Sequence, residues 1–528
     1  MPDSQETPAP VGKRFVDNVL WSWGGVLFSL ISGLLLSPYV IHHLGDERYG
    51  IWALVFSLAD YFSLVDFGFR SAVVKFAAHY RATGEMARLQ ELVGTGLAYF
   101  TIAALVVLGV SVVLTQNVTR FFRLLPRDES AFRFLVVTLA AGVACGIVLS
   151  TCSAVLEAYQ RFDITSRIVI VSSGIRVTGC FAVVYLGLGL KAMGICVLAG
   201  QLVGYALTFR AVRGLLPGIR LWPIFTAWRV ARQMLGYGFH TFVSNMSLLV
   251  LNQSAPVMIG HYLSATMVGY YAFPLRLLYN PLDLVNRVGA VTTSKAAELT
   301  ARGDMKAIAR LAVVANRYCL ALFLPLALFL GLFGRQLLRV WINPTFAAHS
   351  GPLLPVLGAG AVIAIAAQFN STSILYGLAR HHALARTLFC EAVLSVACLW
   401  YTVPRYGILG AAGVVASLMI VSRGMLVPYF VSRQLSVSFW KYLWGIYGAS
   451  LLIAAPLAVG IGLLNRAAGA PATWTAVLAG GMAMATGFYA AFMLFGLEAE
   501  HRRAARRWVE TRLPAVWKAR LARVVGPS

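Results

Sequence analysis

The feature that most limits this chain is a succession of apolar runs, each close to the roughly 20 residues a helix needs to cross a hydrocarbon core. They lie near 18–40, 50–72, 92–115, 133–155, 168–187 and 192–212 in the first half. Further runs lie near 235–260, 268–291, 312–333, 353–375, 387–403, 408–429, 442–464 and 474–496. The expected fold is therefore an all-α integral membrane bundle of about fourteen transmembrane helices. Composition agrees: 59% of residues are hydrophobic and only 12% are charged, about half the usual charged share. A chain this apolar cannot keep a water-exposed surface wetted, so lipid must cover most of it.

A formal charge of +24 would suggest nucleic acid as a partner if it formed a patch. Here the basic residues fall in short gaps between apolar runs, which excludes that reading and follows the positive-inside rule instead. With the N-terminus in the cytoplasm, and residues near span edges counted with the adjoining loop, thirty Lys and Arg fall inside, ten outside and four deeper within spans, of 44 in all. That bias places both termini in the cytoplasm. The exception is the outer loop at 116–133, which carries Arg120, Arg123, Arg127 and Arg133. The polar start leads through Lys13 and Arg14 into a run too long for a signal-peptide core, so the first helix is expected to stay uncleaved. The seven cysteines sit in or beside apolar segments without a CxxC pair, as small packing residues do.

Residues 42–92 match 261–311 at a constant offset of 219. His42 falls on His261, Leu44 on Leu263, Gly50 on Gly269, Ala53 on Ala272, Ala77 on Ala296, Gly84 on Gly303 and Met86 on Met305. The same offset carries Arg161 onto Arg380 and Arg167 onto Arg386. It relates the second span to the eighth, and an even number of crossings later both copies enter in the same direction. Two like-oriented lobes follow, related by an axis along the membrane normal with a cleft between them. The expected divisions are a cytoplasmic N-terminus at 1–14, an N-lobe at 15–213, a linker at 214–234 and a C-lobe at 235–430. Two appended spans (441–496) and a cytoplasmic tail (497–528) complete the chain.

Ionisable residues at membrane depth are costly and usually line a cavity. Arg276, Asn280, Asp283 and Arg287 stand at i, i+4, i+7 and i+11 in the eighth span, so one helix face carries two guanidiniums with a carboxylate between them. Asp283 and Arg287 can pair, leaving Arg276 to meet an anion, and Pro274 and Pro281 would bend the helix. The bland alternative is a structural ion pair with a snorkelling arginine. Arg176 and Arg423 stand in the fifth and twelfth spans as lone guanidiniums. Asp60 in the second span is a candidate for ion coupling, while Asp66 and Arg70 can pair four residues apart. The first span repeats polar or small residues at Asn18, Ser22, Gly25, Ser29 and Ser32. The seventh carries His240, Asn245, Asn252 and Gln253. Either helix could face a wet cleft, or pack closely through its small residues.

Beyond Glu500 the tail alternates arginines with Trp508, Leu513, Trp517 and Leu521, a basic amphipathic helix suited to the membrane surface. The pairs His42–His43 and His381–His382 lack the further ligands a metal needs, and nothing in the sequence requires a cofactor. No HExxH, GxSxG or P-loop is present, and no outer loop exceeds about twenty residues, so no catalytic site is expected.

Residues 36–85 resemble the start of the Wzx-type polysaccharide-biosynthesis flippases of the multidrug/oligosaccharidyl-lipid/polysaccharide exporter superfamily. The resemblance is carried by Leu44, Gly45, Tyr49 and Gly50, then Asp66 and Gly68, then Gly84 and Glu85. It implies a two-lobed fold like that of lipid II flippases and multidrug extruders. It further implies an oligosaccharide cargo on undecaprenyl pyrophosphate, residence in a bacterial cytoplasmic membrane, and polymerase or glycosyltransferase neighbours. Arginine forks suit a pyrophosphate, and amides and hydroxyls suit a sugar. Two rival readings are a cation-coupled drug antiporter, which would favour a carboxylate-dominated cavity, and a membrane polymerase or ligase.

Overall fold

A computed structural model describes residues 32–62, 65, 69–117, 121–223, 228–378, 382–469, 473–498 and 500–503. Side chains are left out of account at 228–231, 233–241, 283–291 and 382–383. Every described element is helical, and ten helices are long and apolar enough to cross a membrane. This is a multi-pass membrane protein. In chain order, α1 covers residues 32–44, α2 Asp46–Phe62, α3 Phe69–Thr83, α4 Met86–Gln116, α5 Pro126–Ala158, α6 Phe162–Tyr185 and α7 Gly189–Leu215. The second half holds α8 Trp228–Tyr262, α9 Ala265–Ala301, α10 Met305–Trp341, α11 Pro344–Ser350, α12 Leu353–Gly360 and α13 Phe369–Gly377. It continues with α14 His382–Met419 and α15 Val427–Gln434, and the appended pair is α16 Phe439–Ala467 and α17 Trp474–Ala491.

Three differences from the sequence reading have physical causes. The run at 50–72 is not one helix: α2 ends at Phe62 and α3 begins at Phe69. Between them the Val65 carbonyl takes a hydrogen bond from Tyr99 Oη at 2.9 Å, and Phe69 stacks on the Tyr99 ring at 3.7 Å. A tyrosine thus satisfies backbone that the helix break exposes. The tenth span is likewise interrupted, with a π-helical stretch at Ala361–Ala366 between α12 and α13. A second π stretch, Ile420–Leu426, joins α14 to α15 and packs on the first. π segments are typical of functional sites.

Helical assignment runs unbroken through 382–419, but Gly407 has φ 59° and ψ −148°, a backbone position only glycine takes without strain. The chain reverses there. Glu391 and Arg423, each sixteen residues from Gly407, form an ion pair, so the expected spans at 387–403 and 408–429 form a hairpin. Arg70 meets Glu157 of α5; Asp66, with which it is expected to pair, lies outside the described residues. The basic outer loop is also more neutral than its letters imply: Arg127 reaches Glu47 at 2.6 Å and Arg133 pairs with Glu129. Most of the expected first span, part of the inter-lobe linker and most of the basic tail lie outside the described residues.

Helices α2, α3 and α4 pack on α8, and the two halves touch most extensively through α2 and α9, at one end of the bundle. Gly50 and Gly269, the glycines related by the offset of 219, lie against each other there. A Cβ on Gly269 would stand 3.1 Å from Gly50 Cα, and one on Gly50 would stand 2.0 Å from the Ala265 carbonyl oxygen. Around this contact Asp46 accepts hydrogen bonds from Tyr270 Oη at 2.8 Å and Asn343 Nδ2 at 3.0 Å. Tyr49, Phe273 and Phe346 fill the space beneath with edge-on ring contacts. This end is shut.

Candidate functional site

Below the closed end lies a cavity of about 810 Å³. The first half contributes Ala53, Phe56, Ser57 and Asp60 from α2; α8, α9, the broken tenth span and the α14 hairpin supply the rest. The lining begins at Pro256 and Tyr271, just inside the seal, and reaches Thr293, Tyr376 and Leu384. Along α9 that is roughly 33 Å at 1.5 Å per residue. Its walls mix apolar surface with Asn252, Gln253, Asn280, Thr372 and Ser373.

Two guanidiniums open onto this space. Arg276 sits on the face of α9 that meets α1, and its Nη1 donates to Ser37 Oγ at 3.4 Å. Among the described residues it makes no ion pair. Arg423 projects from the second π stretch, and its Nε donates to Glu391 Oε2 at 3.3 Å. Ser422 Oγ donates to the same oxygen at 2.6 Å. Across the seam between halves, Gln253 of α8 donates to Asp60 Oδ2 of α2 at 2.6 Å, and Asp60 interacts electrostatically with Arg276. Tyr279, one turn of α9 beyond Arg276, turns its hydroxyl onto Met419 Sδ at 3.3 Å.

Of the side chains singled out in the sequence, Asp60, Asn252, Gln253, Arg276, Asn280 and Arg423 line this cavity. Arg176 and Asn245 do not. Arg176 packs on Gly200 of α7 and, among the described residues, donates a hydrogen bond to Ser173 Oγ at 3.5 Å; Asn245 is exposed two turns of α8 before Asn252. Asn18 and Ser22 fall outside the described residues, as do the side chains of Asp283 and Arg287. Arg423 is not the lone guanidinium the sequence suggested, because Glu391 lies against it from the other arm of the hairpin. Glu391 was the residue missed. A carboxylate inside the apolar run 387–403 was the available signal, and the turn at Gly407 supplies the pairing.

Behind the cavity wall, a polar cluster fixes the broken tenth span. Asn316 of α10 donates to Ser371 Oγ at 2.8 Å and accepts from the Asn370 backbone N–H at 2.9 Å. Tyr442 of α16 hydrogen-bonds Ser371 Oγ at 2.8 Å. Tyr447, five residues further along α16, donates to the Ile363 carbonyl of the π stretch at 2.9 Å. The appended helices thus satisfy groups that the irregular backbone leaves open. Among the described residues no cluster of His, Cys, Asp or Glu could hold a metal.

Two helical halves that meet at one end over a cavity lined by both define the fold. A solved structure described as the lipid II flippase MurJ in an inward closed conformation shares that fold. It aligns with a TM-score of 0.70 over 90% of this chain and 98% of its own, at 13% identity. The model of the polysaccharide biosynthesis protein family matches residues 15–293, more than half the chain, and the protein belongs to that family. It is similar to the "Uncharacterized membrane protein EpsK" of Bacillus subtilis (strain 168), at 25% identity over 82% of this chain and 86% of the relative. A Shigella flexneri relative bearing the name "Putative O-antigen transporter" is 19% identical over 80% of this chain and 99% of its own.

Proposed function

We propose that this protein is a flippase. It carries oligosaccharide units linked to undecaprenyl pyrophosphate across a bacterial cytoplasmic membrane by alternating access, for polysaccharide assembly. The observation that carries the reading is a single cavity onto which Arg276 and Arg423 both open, beside the amides of Asn252 and Asn280. Guanidinium forks match a pyrophosphate, and the amide and hydroxyl lining matches a sugar headgroup. Membership of the polysaccharide biosynthesis family, and the names of the Shigella flexneri relative and of the lipid II flippase, point to the same cargo class.

In this reading residues 15–213 and 235–430 are the two lobes, with the termini in the cytoplasm. The Gly50–Gly269 end faces outward, and the cavity takes its cargo from the cytoplasmic side. The lobes rock about the α2–α9 contact while the polyprenyl tail stays in lipid. Asp60, hydrogen-bonded to Gln253 across the seam, is placed to report ion binding to both halves. An antiporter reading would rest on Asp60, but two arginines line the same cavity, and an organic cation would meet repulsion there. The test is Arg276→Ala in cells whose glycan export depends on this protein. Export should be lost at unchanged membrane abundance, and full export by the variant would reject the assignment.

A further inference from the structure

The two cavity guanidiniums are held differently. Arg276 has only a hydroxyl partner among the described residues, whereas Arg423 is tied by one edge to Glu391. The tie is incomplete on both sides. Only Nε of Arg423 donates, and its two Nη groups donate to no described residue. Glu391 is buried, its side chain 1% exposed, yet Oε1 has no hydrogen-bond partner among the described residues. A pair built for stability uses both oxygens and the flat face of the fork, because burying a half-satisfied carboxylate is costly. Ser422, adjacent to Arg423 in the π stretch, aims its hydroxyl at the occupied oxygen Oε2. The carboxylate is thereby held still with one oxygen unused.

We propose that Glu391 is an internal stand-in for the cargo's phosphate. It parks Arg423 while the cavity is empty and yields the guanidinium to the incoming diphosphate, which lowers the affinity enough for release. The proposal rests on the flippase reading and adds a residue that sets cargo affinity without touching cargo. An entering diphosphate must take Arg423 from a negative partner, and that partner's charge stays behind and repels it. Both effects weaken binding. Removing the charge should therefore tighten binding, whereas a purely structural pair, once broken, would loosen the site.

The experiment is calorimetric titration of the full-length protein in nanodiscs with farnesyl diphosphate as the probe. Glu391→Gln keeps the shape and one acceptor oxygen and removes the charge; it should bind about tenfold tighter or more, the low end of close charge-pair couplings. Arg423→Gln should weaken binding, and adding Glu391→Gln to it should then change nothing. Unchanged or weaker binding by a folded Glu391→Gln, or a gain that persists without Arg423, would overturn the proposal. If the amide variant does not fold, Glu391→Asp withdraws the charge by one methylene and should tighten binding in the same direction by less. No change there overturns the proposal equally. Binding without the Glu391 effect leaves the cargo reading standing, whereas no binding by wild type and variants alike removes both.

Discussion

Gly50→Ala is the sharpest perturbation of the proposed cycle. The new Cβ would lie 2.0 Å from the Ala265 oxygen, 2.5 Å from its carbonyl carbon and 2.9 Å from Thr266 Cα. All three are backbone atoms of the opposite half, so no side chain can swing aside. A carbon–oxygen contact needs about 3.3 Å, so α2 and α9 must part by about 1.3 Å. Overpacking of this kind costs about 1–3 kcal/mol, here only in the state whose end is shut. Taking about 2 kcal/mol, the population ratio shifts roughly 30-fold, and a 99:1 preference for the closed end falls to about 3:1. Nitroxides at Arg48 and Thr345, exposed on opposite halves beside the Asp46–Asn343 bond, would read this by pulsed dipolar spectroscopy. A second, longer distance holding about a quarter of the molecules is expected. An unchanged distance distribution in a well-folded Gly50→Ala protein would refute both the seal and its rocking.

Gly269→Ala should act in the same direction but less, because its nearest contacts lie at 3.1 Å and one of them is the Tyr49 ring. The same spin pair checks the order. Asp60→Asn keeps an acceptor for Gln253 but removes the charge; transport should lose its dependence on the driving ion gradient while probe binding persists, measured in proteoliposomes with and without that gradient. Asn316→Ala removes the acceptor of the Asn370 N–H, at about 1–3 kcal/mol for a buried group left unmade, while Ser371 keeps Gln368 and Tyr442. Detergent-solubilised protein should melt several degrees lower, as thermal unfolding would show. On the surface, a hydrogen bond from Lys295 holds Glu298 below its ordinary carboxylate range. Its small stabilising contribution is present above that range and fades as pH falls through the lowered value. Thermal melts of Glu298→Gln should accordingly differ from wild type at neutral pH and converge with it in acid.

Apolar length made most of the spans legible, because a bilayer imposes it on the letters. The offset repeat was legible too, and it picked out the two glycines that meet. Cavity candidates stood out because Asp60, Arg276 and Arg423 are polar letters in apolar runs. That criterion marks depth and not direction, so it also selected Arg176, which the structure packs on Gly200. Glu391 became visible as a partner only once the chain turned at Gly407 and brought residues 32 apart face to face. The π stretches were not legible at all. They depend on neighbours in space, Tyr447 on the Ile363 carbonyl and Gly424 where a Cβ would stand 2.9 Å from the Ile363 side chain, and no local propensity encodes them.

Helices α2 and α9 both run away from the shut end, so the axis that exchanges them does not exchange the membrane's two faces. Transporters built from inverted repeats can reach their second access state by swapping the conformations of equivalent halves. This architecture has no such mirror. In the proposed cycle the energies of the two access states are thus independent quantities, and a change at the glycine contact resets their ratio without any compensating change at the opposite face.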